Sequence, residues 1–181
     1  KNILAVLEKA GCKIMLAAPT GRAARRLAES AGHPAATVHR LLEYAPNGEG
    51  YFFGRNSDNP LEADAIIVDE ASMLDIVLAH NLLKAVPVGC RLILVGDVDQ
   101  LPSVGPGTVL KDILRSKMMP VVRLESIFRQ AAKSPIVTNA HLINKGKAPQ
   151  CEPASDFSFE EVEDEEAAAL VIVRGMRRLP R

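Results

Sequence analysis

Ala65-Ile66-Ile67-Val68-Asp69-Glu70 is a four-residue apolar run that stops abruptly at two adjacent carboxylates. Leu92-Ile93-Leu94-Val95-Gly96-Asp97 repeats the pattern, and Lys13–Ala18 leads in the same way into Pro19-Thr20-Gly21-Arg22. Strands apolar along their whole length are buried on both faces, which is the habit of parallel sheets with helices packed on either side. Helix-like segments separate these runs, so the expected class is α/β, with a mostly parallel sheet covered on both faces. In such sheets chemistry gathers outside the carboxyl ends of the strands, and each of these three polar clusters follows a strand directly.

Outward from these strands, the spacing predicts helices over Asn2–Lys9, Gly21–Ala31, Thr37–Leu42, Ser72–Val86, Gly107–Arg115, Ser134–Asn144 and Glu165–Arg178. Two further strands are expected at Val121–Leu124 and Phe157–Val162. Residues 44–62 differ in composition, with Pro46, Asn47, Gly48, Gly50, Gly54, Asn56, Asn59 and Pro60 around Tyr44, Tyr51, Phe52 and Phe53. Turn formers flanking aromatics predict a β-hairpin insertion; the alternative is a surface loop pinned by its rings. No regular repeat is present.

The 181 residues suit one domain, or one with a small appendage, and 48% hydrophobic with 24% charged residues excludes disorder and collagen-like repeats. Lys plus Arg and Asp plus Glu both number 22, which argues against a heavily basic nucleic-acid coat while leaving room for a local basic groove. Cys12, Cys90 and Cys151 are scattered without a CxxC spacing, so neither a zinc site nor a disulfide framework is expected and a reducing, cytoplasmic setting fits. No apolar run approaches a membrane span and no signal-peptide pattern opens the chain, so no membrane partner is expected.

Two carboxylates at one strand tip can divide the labour of nucleoside triphosphate hydrolysis. One can hold Mg²⁺, through water, while the other polarises a water molecule. The bland alternative is a solvated acidic strand end. Gln100, in the turn after Gly96-Asp97, can orient a water or sense a γ-phosphate; alternatively Asp97 and Asp99 merely cap turn amides. Arg129 lies just past the Val121–Leu124 segment, where a guanidinium reaches transferred phosphate oxygens, or else is an ordinary surface residue. Pro19, Thr20 and Arg22 open a helix after a strand, a geometry suited to phosphates of a nucleotide or a nucleic acid. Thr37 and His39 form a second polar rim. His33, His80, His141 and the three cysteines read as structural.

Taken in order, Leu16–Ala24 looks like helicase motif Ia, Thr37–Leu42 like motif Ic, Ile67–Met73 like motif II, Leu94–Gly107 like motif III and Arg123–Gln130 like motif IV. Together they resemble the superfamily 1 DNA helicases of the RecD type, the RecD/TraA group, over about residues 1 to 178. The resemblance implies a RecA-like first motor domain (1A) over 1–181, with 44–62 in the place of the pin-like domain 1B. It implies ATP and Mg²⁺ as cofactors, Asp69 on the metal and Glu70 as general base. Gln100 would couple the γ-phosphate to DNA, Arg129 would contact the γ-phosphate, and Pro19, Thr20, Arg22, Thr37 and His39 would face the DNA strand. Implied partners are single-stranded DNA and duplex junctions, a second RecA-like domain of the same parent chain, and nuclease-complex subunits; the family behaviour is 5′ to 3′ translocation.

One departure stands out. No G-x-x-x-x-G-K-[ST] occurs, and Gly105-Pro106-Gly107-Thr108 fits motif III instead. The expectation is a fragment that starts after the phosphate-binding loop and is inactive alone. The rivals are a non-catalytic RecA-like module for DNA or a partner protein, and an unrelated hydrolase with Asp69, Glu70, Asp97 and Asp99 on metal.

Overall fold

The computed structural model describes residues 1–46, 48, 50–124, 134–151, 157 and 159–176. It divides into two compact units, Lys1–Val121 and Val122–Arg181. The first unit runs α1 (Asn2–Lys9), β1 (Ile14–Ala18), α2 (Gly21–Ala31), β2 (Ala35–Thr37), α3 (Val38–Leu41), β3 (Tyr44–Pro46), β4 (Tyr51–Phe53), β5 (Ala65–Val68), a 3₁₀ turn (Ala71–Met73), α4 (Ile76–Ala85), β6 (Arg91–Leu94) and α5 (Val109–Ser116).

The four strands β2-β1-β5-β6 form one sheet in that spatial order, and every pairing is parallel. Alternation along β1 and β5 sends neighbouring side chains to opposite faces. Leu16, Ala65 and Ile67 join Leu4 and Leu7 of α1, with Leu27 of α2 packed against them, in one buried cluster. Ala17, Ile66 and Val68 join Val38, Leu42, Leu78, Leu82 and Leu110 in a second. The sheet is therefore covered on both faces, as its unbroken apolar strands require. β3 and β4 pair antiparallel, Tyr44 opposite Phe53 and Pro46 opposite Tyr51, as the predicted hairpin.

Several boundaries differ from expectation. Ala35–Thr37, where no strand is expected and whose last residue opens the helix expected over Thr37–Leu42, is a strand paired to β1 through Leu16, Ala17 and Ala18. The single helix expected over Ser72–Val86 is broken: residues 71–73 make a 3₁₀ turn, and a new helix starts after Asp75, whose Oδ1 accepts from the Leu78 N–H at 2.8 Å. That bond is an N-cap, and it competes directly with continuing the helix backward. Val121–Leu124 is not a strand; Val122 and Leu124 are 89% and 92% exposed, and among the described residues no strand pairs with them.

The second unit contains α6 (Pro135–Asn144) and α7 (Glu165–Met176). α6 opens on Pro135, whose ring suits a first helical position. Asn139, 3% exposed, exchanges two bonds with the Gln150 backbone: its Nδ2 donates to the carbonyl at 2.9 Å and its Oδ1 accepts at 2.8 Å. Asp164 caps α7 through the Ala167 N–H at 2.8 Å. Of the strand expected at Phe157–Val162, the described part holds a bridge at Phe157 alone, and residues 159–162 are irregular. Arg177 and Arg178 lie outside the described residues, as does Asn47.

Candidate active site

β1 is flanked by β2 on one side and β5 on the other, so the chain reverses its direction of travel across the sheet at β1/β5. At such a switch point the loops leaving adjacent strands part and open a crevice at the carboxyl ends. Pro19 and Thr20 leave β1 there, and Asp69 and Glu70 leave β5. The ladder continues far enough to fix the acidic pair, because the Asp69 N–H donates to the Ala17 carbonyl at 2.9 Å.

Asp69 and Glu70 are both partly buried. Asp69 Oδ1 accepts from the Glu70 N–H at 2.9 Å. Among the described residues Oδ2 takes no hydrogen bond. Glu70 itself has φ +53°, in the left-handed region, which costs a non-glycine residue about 1–3 kcal/mol. Glu43 and Lys117 share that conformation, at the root of the hairpin and at the end of α5. The turn beyond Glu70 is locked, since the Ala71 N–H donates to Val95 at 2.8 Å and the Val95 N–H to Val68 at 2.8 Å.

Gly96 ends the adjacent strand against this turn. A β-carbon there would sit 3.0 Å from the amide nitrogens of Ala71 and Ser72 and 2.9 Å from Leu110 Cδ2. Asp97 then organises the following turn, with Oδ1 accepting from the Asp99 N–H at 3.0 Å and Oδ2 from Gln100 Nε2 at 3.3 Å. Gln100 and Ser72 both line a cavity of about 210 Å³ with Val98, Pro102, Thr108, Leu110 and Lys111. Ser72 Oγ is buried and has no hydrogen-bond partner among the described residues. A buried hydroxyl left so costs about 1–3 kcal/mol. Ser72 stands two residues beyond Glu70, inside the Ile67–Met73 stretch, yet the sequence gives it no role of its own.

Thr20 is the N-cap of α2, its Oγ1 accepting from the Ala23 N–H at 3.2 Å, and Thr37 caps α3 through the Arg40 N–H at 3.1 Å. Both hydroxyls thus hold helix ends that emerge from neighbouring parallel strands. Arg22 is exposed and makes no ion pair among the described residues. His39 is exposed and belongs to an aromatic group: its ring lies 5.2 Å from Tyr44, edge-on, and 6.4 Å from Phe53, stacked. Tyr44 in turn stacks on Tyr51 at 5.1 Å. The hairpin is fastened at its root, where Arg55 Nε donates to Glu43 Oε1 at 2.8 Å and its Nη1 to the Pro60 carbonyl at 3.2 Å. So the first unit brings Asp69, Glu70, Gln100, Thr20 and Thr37 to strand ends of one sheet. Arg129 lies outside the described residues.

The carboxylates do not form a free-standing metal cage. Among the described residues no three His, Cys, Asp or Glu side chains group closely enough to hold an ion. This removes the basis of the all-carboxylate hydrolase. It fits Mg²⁺ carried by phosphates, which needs one or two carboxylates from the protein.

A parallel sheet with an acidic pair at its switch point is the layout of a nucleotide-binding α/β domain. The family pattern described as AAA domain matches residues 1–161, and the chain belongs to that family. It is 46% identical over 149 residues to the ATP-dependent RecD2 DNA helicase of Deinococcus radiodurans, covering 82% of this chain and 20% of that protein. It is 43% identical over 118 residues to the RecBCD enzyme subunit RecD of Mycobacterium tuberculosis, covering 56% and 20%. The RecD subunit of Haemophilus influenzae is 36% identical over 141 residues, covering 65% and 22%. The chain thus spans about a fifth of the length of these relatives, and the resemblance to RecD-type proteins holds. Among the described residues no helix is long and apolar enough to cross a membrane.

Proposed function

We propose that the chain is part of the first motor domain of a DNA helicase, contributing the hydrolytic side of an ATP site. The observation that carries this reading is the tip of β5. Asp69 presents a carboxylate oxygen without a hydrogen bond among the described residues, and Glu70 is held beside it in a strained left-handed conformation. Strain of this kind concentrates where a side chain must be aimed.

When bound, ATP with Mg²⁺ supplies the phosphoryl group and its charge neutralisation. Asp69 would hold the metal. Glu70 accepts the proton of the attacking water. Gln100 reports the γ-phosphate to the DNA-facing loops, and Arg129 contacts the same phosphate. In the proposed full-length protein a phosphate-gripping lysine and hydroxyl and a second RecA-like domain complete the site.

Single-stranded DNA is the proposed track, crossing the ends of α2 and α3 at Pro19, Thr20, Arg22, Thr37 and His39, with 5′ to 3′ movement. The hairpin takes the role of a pin at duplex junctions, where exposed rings can stack on bases. The RecD relatives are named as RecBCD subunits, so a nuclease complex is a proposed assembly for the parent protein, in a cytoplasmic setting.

The test is strand displacement by the full-length protein on duplexes tailed at either the 5′ or the 3′ end. ATP- and Mg²⁺-dependent separation of the 5′-tailed substrate is expected. Tight single-strand binding without any ATP-dependent displacement would return the non-catalytic binding module.

A further inference from the structure

The turn after Glu70 carries a polar group that the assigned roles do not use. Ser72 Oγ is buried without a protein partner among the described residues, in a turn whose backbone is pinned to β6. Gln100 lines the same cavity, and its exposed side chain is tethered to its own turn by a bond of 3.3 Å to Asp97 Oδ2. That length is beyond the usual range for an N–H···O bond, so the tether is weak. A buried hydroxyl lining the same cavity as a loosely held amide has a second arrangement open to it, since buried polar groups end up paired.

We propose that Ser72 is a positioning residue: in the hydrolysis-competent state the Gln100 side-chain amide leaves Asp97 and donates to Ser72 Oγ across their shared cavity. The exchange joins the turn that carries Glu70 to the loop that carries Gln100. It deepens the reading of Gln100 as the γ-phosphate reporter and rests on it. The cavity, about 210 Å³, gives the amide room to turn, and Gly96 keeps the two loops in contact during the exchange. Rearrangement within a small packed site is how a sub-ångström change at one ligand becomes a discrete switch.

The experiment measures ATP hydrolysis by the full-length protein with and without single-stranded DNA, in Ser72→Ala, Ser72→Thr, Gln100→Ala and the Ser72→Ala/Gln100→Ala pair. In Ser72→Ala the factor by which DNA raises kcat should fall ~10-fold, about the worth of one hydrogen bond, with KM for ATP moving less than ~2-fold. Ser72→Thr should recover part of the loss. The double variant should be no worse than Gln100→Ala alone, because the two groups act as one pair. Melting of the nucleotide-free protein should be unchanged or raised by Ser72→Ala.

A normal stimulation factor in Ser72→Ala beside a lowered one in Gln100→Ala overturns this proposal and leaves the Gln100 reading standing. Full stimulation in Gln100→Ala overturns both. Multiplying effects in the double variant, or a clear drop in melting temperature on Ser72→Ala, also overturn it, the latter by making the hydroxyl part of the resting scaffold.

Discussion

Gly96 and Ser72 approach so closely that a β-carbon on the glycine would lie 3.0 Å from the Ser72 amide nitrogen. The neighbours are backbone and a buried leucine rather than the tip of a flexible chain. Gly96→Ala should therefore destabilise the protein by about 1–3 kcal/mol, the usual effect of overpacking. Urea denaturation measures this, and a change below ~0.5 kcal/mol would mean that the two strand ends are not wedged together.

Asp75 starts α4 and is itself hemmed in by Gly105, where an added β-carbon would fall 2.6 Å from Asp75 Oδ2. Replacing Asp75 by Ala should cost ~1 kcal/mol through loss of the cap, while Asp75→Asn should retain most of the stability. Equal losses in the two variants, read by thermal melting, would show that capping is not what Asp75 contributes.

The hairpin can be tested without disturbing the core. Excising all of 44–62 would also remove Leu61, which is 3% exposed and part of the main cluster, and Arg55, which fastens the root. Tyr51→Ala and Phe52→Ala instead remove exposed rings near the tip. Each should reduce duplex separation by ~10-fold, in line with the loss of one base stack, and spare ATP hydrolysis stimulated by single strands. Unwinding at the normal rate in both variants would remove the pin role.

Burial, and next the nearby Asp64 carboxylate, push the Cys90 thiol above its ordinary pKa, whereas Cys151 is exposed. A raised pKa means less thiolate at neutral pH, and the thiolate is the nucleophile. Cys151 should be alkylated first by iodoacetamide at pH 7, with Cys90 catching up as the pH rises. Faster labelling of Cys90 at neutral pH, read by peptide mass spectrometry, would contradict this.

The parts of the fold that were legible in the sequence were those in which a local pattern and burial agree. Unbroken apolar runs marked β1, β5 and β6, and turn formers around rings marked the hairpin. Ala35–Thr37 was not legible, because two alanines and a threonine have no strand pattern of their own; the segment is a strand only through pairing with β1. Val121–Leu124 erred the other way, being strand-like in composition but exposed and unpaired. The helical spacing of Ser72–Val86 gave no sign of the break at Asp75, whose capping bond is seen only in the structure. At the site, the acidic pair and Gln100 could be read as residues following strands. The φ of Glu70 and the orphaned hydroxyl of Ser72 could not, because both arise from how the two strand ends press on each other.

The most direct test of the central claim is ATP hydrolysis by the full-length protein with saturating single-stranded DNA, comparing the natural sequence with Glu70→Gln. Glu70→Gln keeps the size of the side chain and removes its ability to take a proton, so turnover should fall at least ~100-fold while nucleotide binding persists. Turnover within a few-fold of the natural protein would contradict the account, because the strained carboxylate at the tip of β5 would then not be the base.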